Sequence, residues 1–173
     1  ISISQRALKA ENDDFSSENS KIDMDPNGLK DIQRHLPGFS VQEFLAGARG
    51  AYEIVIIAFA NGEKDELARL LTKGVYENFS NAIDERTKRG ESLETTLVGI
   101  DKAEVIEARL SGQTSEITVK FVTQIINVIR KSDEIEQSED QGEVRQVVDI
   151  WTFVRDIGSK DPNWSLAETR SPT

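Results

Sequence analysis

Apolar positions change their period once along this chain, near Leu93, which separates a helical front from an extended back. Leu29, Ile32 and Leu36 recur at helical spacing behind the turn signal Asp25-Pro26-Asn27-Gly28, and Pro37-Gly38 should stop that short helix near Leu36. Ser40 and Glu43 match a capping box, in which a hydroxyl and a carboxylate satisfy free backbone N–H groups. The helix that follows is the strongest local signal. Val41, Phe44, Leu45, Ala48, Tyr52, Val55, Ile56 and Phe59 line one face. Ile54 and Ile57 widen that face until the second half is apolar almost all round, which predicts a place at the centre of the core, and Asn61-Gly62 ends it. A shorter helix turns Leu67, Leu70 and Leu71 inward, and Gly74 breaks its pattern. Val75, Phe79, Ala82, Ile83 and Arg86 mark another amphipathic helix. It closes at Lys88-Arg89-Gly90, where cations suit the helix dipole and glycine suits the cap.

Beyond Leu93 the period is near 2. Val98, Ile100 and Val105 begin a strand that Ile106, Ala108 and Leu110 continue in the opposite phase, so a bulge or strong bend is expected. Ser111-Gly112 is a hairpin turn, and Ile117, Val119, Phe121, Ile125 and Ile129 alternate along a long second strand. Asp133 to Glu143 reads as a solvated acidic loop, Gln146 to Ile157 as a third strand, and Trp164 to Thr169 as a short fourth after the turn Asp161-Pro162-Asn163. Helices followed by an antiparallel meander make an α+β domain. The expected form is a bent four-stranded sheet wrapped as a cone around the N-terminal helices, with an open apolar mouth. Both sheet faces carry apolar residues near Ile125–Val128 and Val147–Val154.

The length of 173 residues suits one domain. Residues 1–27, rich in Ser, Asp, Asn and Glu and without sustained periodicity, read as a flexible arm before a domain over 28–173. With 21 Lys+Arg against 31 Asp+Glu the net charge is −10, which disfavours nucleic acid as a partner. No cysteine is present, so disulfides, thiolate metal sites and a cysteine nucleophile are excluded, and the single His35 rules out a multi-histidine zinc site. The longest apolar run, Ala51 to Ala60, is shorter than the roughly 18–20 residues that cross a bilayer. The chain begins with Ile1 and not Met, which reads as a fragment of a longer product.

Candidate chemistry is sparse. Gly47 and Gly50 lie inside the main helix with no phosphate-loop Lys-Ser/Thr behind them, so the plain expectation is close packing against a neighbouring element. Glu53 interrupts the apolar helix four residues after Arg49; it is either a surface partner of Arg49 or a pocket acid acting as general base. Asp149, Trp151, Phe153 and Arg155 share a strand face, where the two charges either flank a packed aromatic pair or polarise a ligand. Arg86, Lys88 and Arg89 form the one compact basic cluster, a solvated helix end or a weak contact for anionic lipid.

Five blocks in order, Phe39–Ala60, Asn61–Leu71, Val75–Arg86, Gly99–Ala108 and Val148–Trp164, the last holding DIWTFVRD and DPNW, resemble the Tim44-like domain family. That family comprises a mitochondrial import inner-membrane translocase subunit and α-proteobacterial relatives. The resemblance implies a cone-shaped domain like nuclear transport factor two, with a hydrophobic pocket and no catalytic residues or cofactors. It implies a membrane-peripheral scaffold for protein transport, partnered by membrane lipid, cardiolipin among them, and by proteins of a membrane complex. The expected location is the bacterial inner membrane, or the matrix side of the mitochondrial one. On this reading Tyr52, Ile56, Phe59, Phe121, Trp151 and Phe153 line the pocket, and Leu29, Ile32, Leu36 and Phe39 touch the membrane. The rival expectation is a small-molecule enzyme on the same cone, with Glu53 or Asp149 as base.

Overall fold

The computed structural model describes residues 26–132 and 141–172. Among the described residues four helices come first: α1 (Pro26–His35), α2 (Val41–Asn61), α3 (Lys64–Leu70) and α4 (Lys73–Lys88). Four strands follow, β1 (Glu91–Ser111), β2 (Thr114–Lys131), β3 (Gln141–Asp156) and β4 (Ser165–Arg170), in one antiparallel sheet of order β1-β2-β3-β4. The architecture is the α+β arrangement expected, a helical layer against one face of a meander. Most of the expected arm, and the heart of the acidic loop at 133–140, lie outside the described residues.

Local chemistry sets the helix ends. Ser40 sits in extended backbone and its Oγ accepts the Glu43 N–H at 3.3 Å, which starts α2. Gly62 closes α2 at a φ of 72°, a left-handed position suited to a residue without Cβ. Gly74 does not separate α3 from α4. It lies in the first turn of α4, and the break falls at Leu71-Thr72, which bridges to Leu166 of β4.

The bend expected in β1 is present as three register shifts against β2, between Leu97 and Gly99, Ile100 and Lys102, and Val105 and Glu107. These shifts correct one expectation. Leu97, not Val98, packs toward the core, and Val98 is 55% exposed, because the first bulge falls on it. Strand β3 begins at Gln141, five residues earlier than its alternation suggested, because Val144, Arg145 and Gln146 at its exposed tip are held by pairing to β2 and not by burial.

The core lies between α2 and the inner face of β2 and β3. Tyr52, Val55, Ile56 and Phe59 meet Ile117, Val119, Phe121 and Trp151, all essentially closed to solvent. The second half of α2 is central to the core as expected, burying Tyr52, Val55, Ile56, Ala58, Phe59 and Ala60, but the helix keeps one open side. Its outer stripe of Glu43, Gly47, Gly50, Glu53 and Ile54 is open, and Ile54 is 44% exposed, since the sheet covers one side only. Arg49 does not pair with Glu53; its guanidinium donates to the Ile100 carbonyl at 3.4 Å. Arg86 leaves the basic cluster too. It is buried, donates to the Phe59 and Ala60 carbonyls at 3.0 and 3.1 Å, and lies over the Phe59 ring.

The glycines also sort themselves by packing. A Cβ at Gly47 or Gly50 would meet nothing within 4 Å, so neither is a close-packing glycine. That role belongs to Gly28 in α1, where a Cβ would lie 1.8 Å from the Ala108 carbonyl oxygen of β1. Gly28 thus brings the α1 backbone onto the strand, which buries Leu29, Ile32 and Leu36.

Candidate functional site: an aromatic groove at the open end

An open groove of about 890 Å³ runs where the α1–α2 connection, the first half of α2, the end of α3 and the β3–β4 connection meet. That volume falls in the range of ligand pockets. Its apolar wall is a cluster of rings. Phe44 of α2 stands 5.1 Å from Trp164, 5.9 Å from Phe153 and 6.1 Å from Phe39, in tilted or edge-on contacts. Trp164 reaches this cluster because the β3–β4 connection is locally stiff: Asp161 Oδ1 accepts the Asn163 N–H at 2.9 Å and Ser159 Oγ accepts the Asp161 N–H at 3.1 Å. Gly47 leaves the α2 side of the groove without a side chain.

Polar groups are interspersed with the rings. Arg69 and Arg155 face the groove, as do Glu43, Asp161 and His35, whose Nδ1 donates to the Asp31 carbonyl at 2.9 Å. Arg155 Nε is buried and meets no hydrogen-bond partner among the described residues.

Of the six residues expected to line a pocket, only Phe153 lines this one. Tyr52, Phe121 and Trp151 fill the space behind it. The Tyr52 ring stands 4.6 Å from both of the others, so the expected pocket is a packed column. Ile56 and Phe59 are buried deeper along α2, with Phe59 edge-on to Phe79 at 5.3 Å. The column joins the groove through Trp151 and Phe153, 6.5 Å apart. Periodicity placed these residues on the inward faces of α2 and the strands, but not how closely their side chains fill the space between them.

The four residues expected at a membrane are arranged differently. Leu29, Ile32 and Leu36 are buried between α1 and β1, and Phe39 is half-buried in the groove wall. The face that α1 offers outward carries Lys30, Gln33 and Arg34.

Neither proposed base faces the groove. Glu53 is exposed on the open stripe of α2. Asp149 is 1% exposed and accepts a hydrogen bond from the Tyr52 hydroxyl at 2.8 Å, with Thr123 Oγ1 3.1 Å from the same phenol oxygen. Burial, reinforced by the charge of Asp149, pushes the Tyr52 phenol far above its ordinary range. Among the described residues no group of three or more His, Asp or Glu side chains is arranged to hold a metal ion.

Comparison with known proteins fits this framework. The model of the Tim44-like domain matches residues 26–171. The chain belongs to the Tim44-like domain family. The match begins at the first residue of α1 and ends just past β4, so the family unit includes every described element. An uncharacterized protein of Rickettsia prowazekii (strain Madrid E) is similar at 23% identity over 141 residues. The alignment takes in 82% of this chain and 57% of that protein, so the Tim44-like domain spans little more than half the relative's length. The crystal structure of the intermembrane space region of the chloroplast protein ARC6 superposes with a TM-score of 0.54 at 15% identity, over 78% of this chain and 98% of that one. That likeness establishes the shared fold. Family membership points to a membrane-associated scaffold or binding role. No described helix of this Tim44-like domain is long and apolar enough to cross a membrane.

Proposed function

We propose that this Tim44-like domain is a non-enzymatic, membrane-peripheral scaffold of a protein-transport complex at the bacterial inner membrane, and that its aromatic groove is the surface that engages a partner. The observation that carries this reading is the groove itself. The half-buried rings of Phe39 and Trp164 border it, and the buried ring of Phe44 packs against both at its base. Its alternation of polar and apolar lining suits a peptide segment better than an acyl chain, which asks for an apolar tunnel. Anionic lipid, cardiolipin included, then acts on the outside of the domain. Leu29, Ile32 and Leu36 meet lipid only when α1 lifts from β1, whereas Phe39 stands in the groove wall.

Photo-crosslinking in the native host tests the scaffold reading. Benzoylphenylalanine at Ala51, on the groove, should trap a defined membrane-complex protein, whereas the same group at Thr95 on β1 should not; equal labelling from both positions refutes the groove as the contact. Vesicle flotation tests the lipid contribution. Cardiolipin-containing vesicles should float the protein, and Gly28→Ala, which pries α1 from β1, should increase the floated fraction. Loss of flotation in that variant counts against α1 as the lipid contact.

A further inference from the structure

The charged groups of the groove are not equally committed. Its carboxylates have local roles: Asp161 accepts the Asn163 N–H, and Glu43 stands in the first turn of α2, where the helix dipole favours an anion. Arg69 is held weakly, 3.9 Å from Glu66 across one exposed helical turn. Arg155 is held by less. It follows Val154, the last β3 residue paired with β4, and its Nε, buried in the groove wall, meets no acceptor among the described residues. Its neighbour across the β2–β3 pair is Ser115, whose hydroxyl is closed to solvent and has no partner among the described residues either. An unpaired buried donor subtracts from stability, and a methionine fills similar space without that penalty. Folding alone therefore does not account for an arginine here.

The surroundings define what does. The Nε–Nη edge of a guanidinium offers two parallel donors, which a carboxylate matches in both geometry and charge. No hydrogen bond ties Arg155 Nε to the wall, so a turn of the side chain brings that edge into the groove. The other charges set a limit. Arg69 and Arg155 are balanced by Glu43 and Asp161, and the whole chain carries −10, so one carboxylate is accommodated and a run of acids is repelled. Apolar surface is close by: Ile157 lies two residues along the chain, and the half-buried rings of Phe39 and Trp164 stand 6.1 Å apart at the border. Gly47 leaves the α2 side without a side chain, which lets a peptide backbone approach.

We propose that Arg155 is the specificity-determining contact of the groove, and that the occupant is an extended segment of a partner protein carrying one aspartate or glutamate beside a bulky apolar residue. The carboxylate pairs with the Arg155 fork, and the apolar side chain lies against Phe39 and Trp164. The inference rests on the groove being a binding surface, as proposed above, and adds what that surface selects.

Two blocked pentapeptides serve as probes. One carries a leucine and, two positions later, an aspartate among glycines and serines; the other is its asparagine twin. Titrated at millimolar concentration into the nitrogen-15-enriched 173-residue protein, the aspartate peptide should shift the Trp164 indole, Gly47 amide and Arg155 Nε–H resonances and leave the Thr95 amide unchanged. The asparagine twin should bind about tenfold more weakly. Arg155→Met should bind both peptides at that lower level, with an unfolding midpoint no lower than that of the unsubstituted protein. Arg155→Lys, a charge without the fork, should fall between the two. Absent shifts at the groove, equal binding of the twins, or a discrimination that survives Arg155→Met overturns the proposal. A lowered midpoint in Arg155→Met also overturns it, because the arginine is then structural. So does inorganic phosphate that competes as strongly as the aspartate peptide, because the groove then holds any anion. If crosslinks at Ala51 capture a partner while the twins bind alike, the groove reading stands and this inference falls.

Discussion

Tyr52 joins the two halves of the core: its ring packs between Phe121 and Trp151, and its hydroxyl donates to a carboxylate that is almost wholly buried. Tyr52→Phe keeps the packing and removes the donor, so urea denaturation should show a loss of about 1–3 kcal/mol. The same residue sets an alkaline limit. Its folded-state pKa is raised above the unfolded value near 10, so the contribution is complete below about pH 10 and falls as pH rises beyond it, where only the unfolded chain releases the proton. The alkaline limb of a stability–pH curve should therefore be flatter in Tyr52→Phe. Glycines give a second contrast. Gly28→Ala places a methyl into the β1 backbone and should cost about 3 kcal/mol, whereas Gly47→Ala and Gly50→Ala, with free space around them, should each stabilise by up to about 1 kcal/mol in the same assay.

Helix α2 depends on more than its own apolar face. Its last carbonyls are capped from another helix by Arg86, whose Nη2 alone donates to both Phe59 and Ala60. Arg86→Met keeps volume but leaves those carbonyls without that donor, and should cost about 3 kcal/mol. The effect should be nearly unchanged between low and high salt, because the contact is buried and not a screened surface pair. Arg34→Met, an exposed helical partner of Asp31, should change stability by less than about 0.5 kcal/mol.

Across the domain, the sheet turns one face to the helices, and its closure is incomplete where β3 outruns β4. Pairing of these strands runs only from Ile150 to Val154 on β3, so Arg155 continues past the partner strand into the groove. The groove is thus the place where two connections and two helix ends converge without filling the space. Gly47→Leu should fill it from the α2 side. Crosslinking from Ala51 should then fall several-fold while the unfolding midpoint stays near that of Gly47→Ala, a dissociation of binding from stability.

Patterning alone determined a good deal. The switch from a period near 3.6 to one near 2 located four helices and four strands, Ser40 and Gly62 marked the ends of α2, and the opposed phases at Val105 and Ile106 announced the bulged strand. Those features are local, because backbone geometry fixes which positions share a face. Only the tertiary structure decided which apolar positions are filled and which stay open. Tyr52 and Trp151 look like pocket residues along the chain and become packing, whereas Phe39 and Phe44 meet Trp164, from the far end of the sequence, to wall the groove. The same holds for Gly28, whose value lies in the carbonyl of Ala108 across the fold, and for Arg86, a surface cation by sequence and an interior cap in space. Burial and charge pairing depend on what the other elements bring to a position, and periodicity carries no record of that.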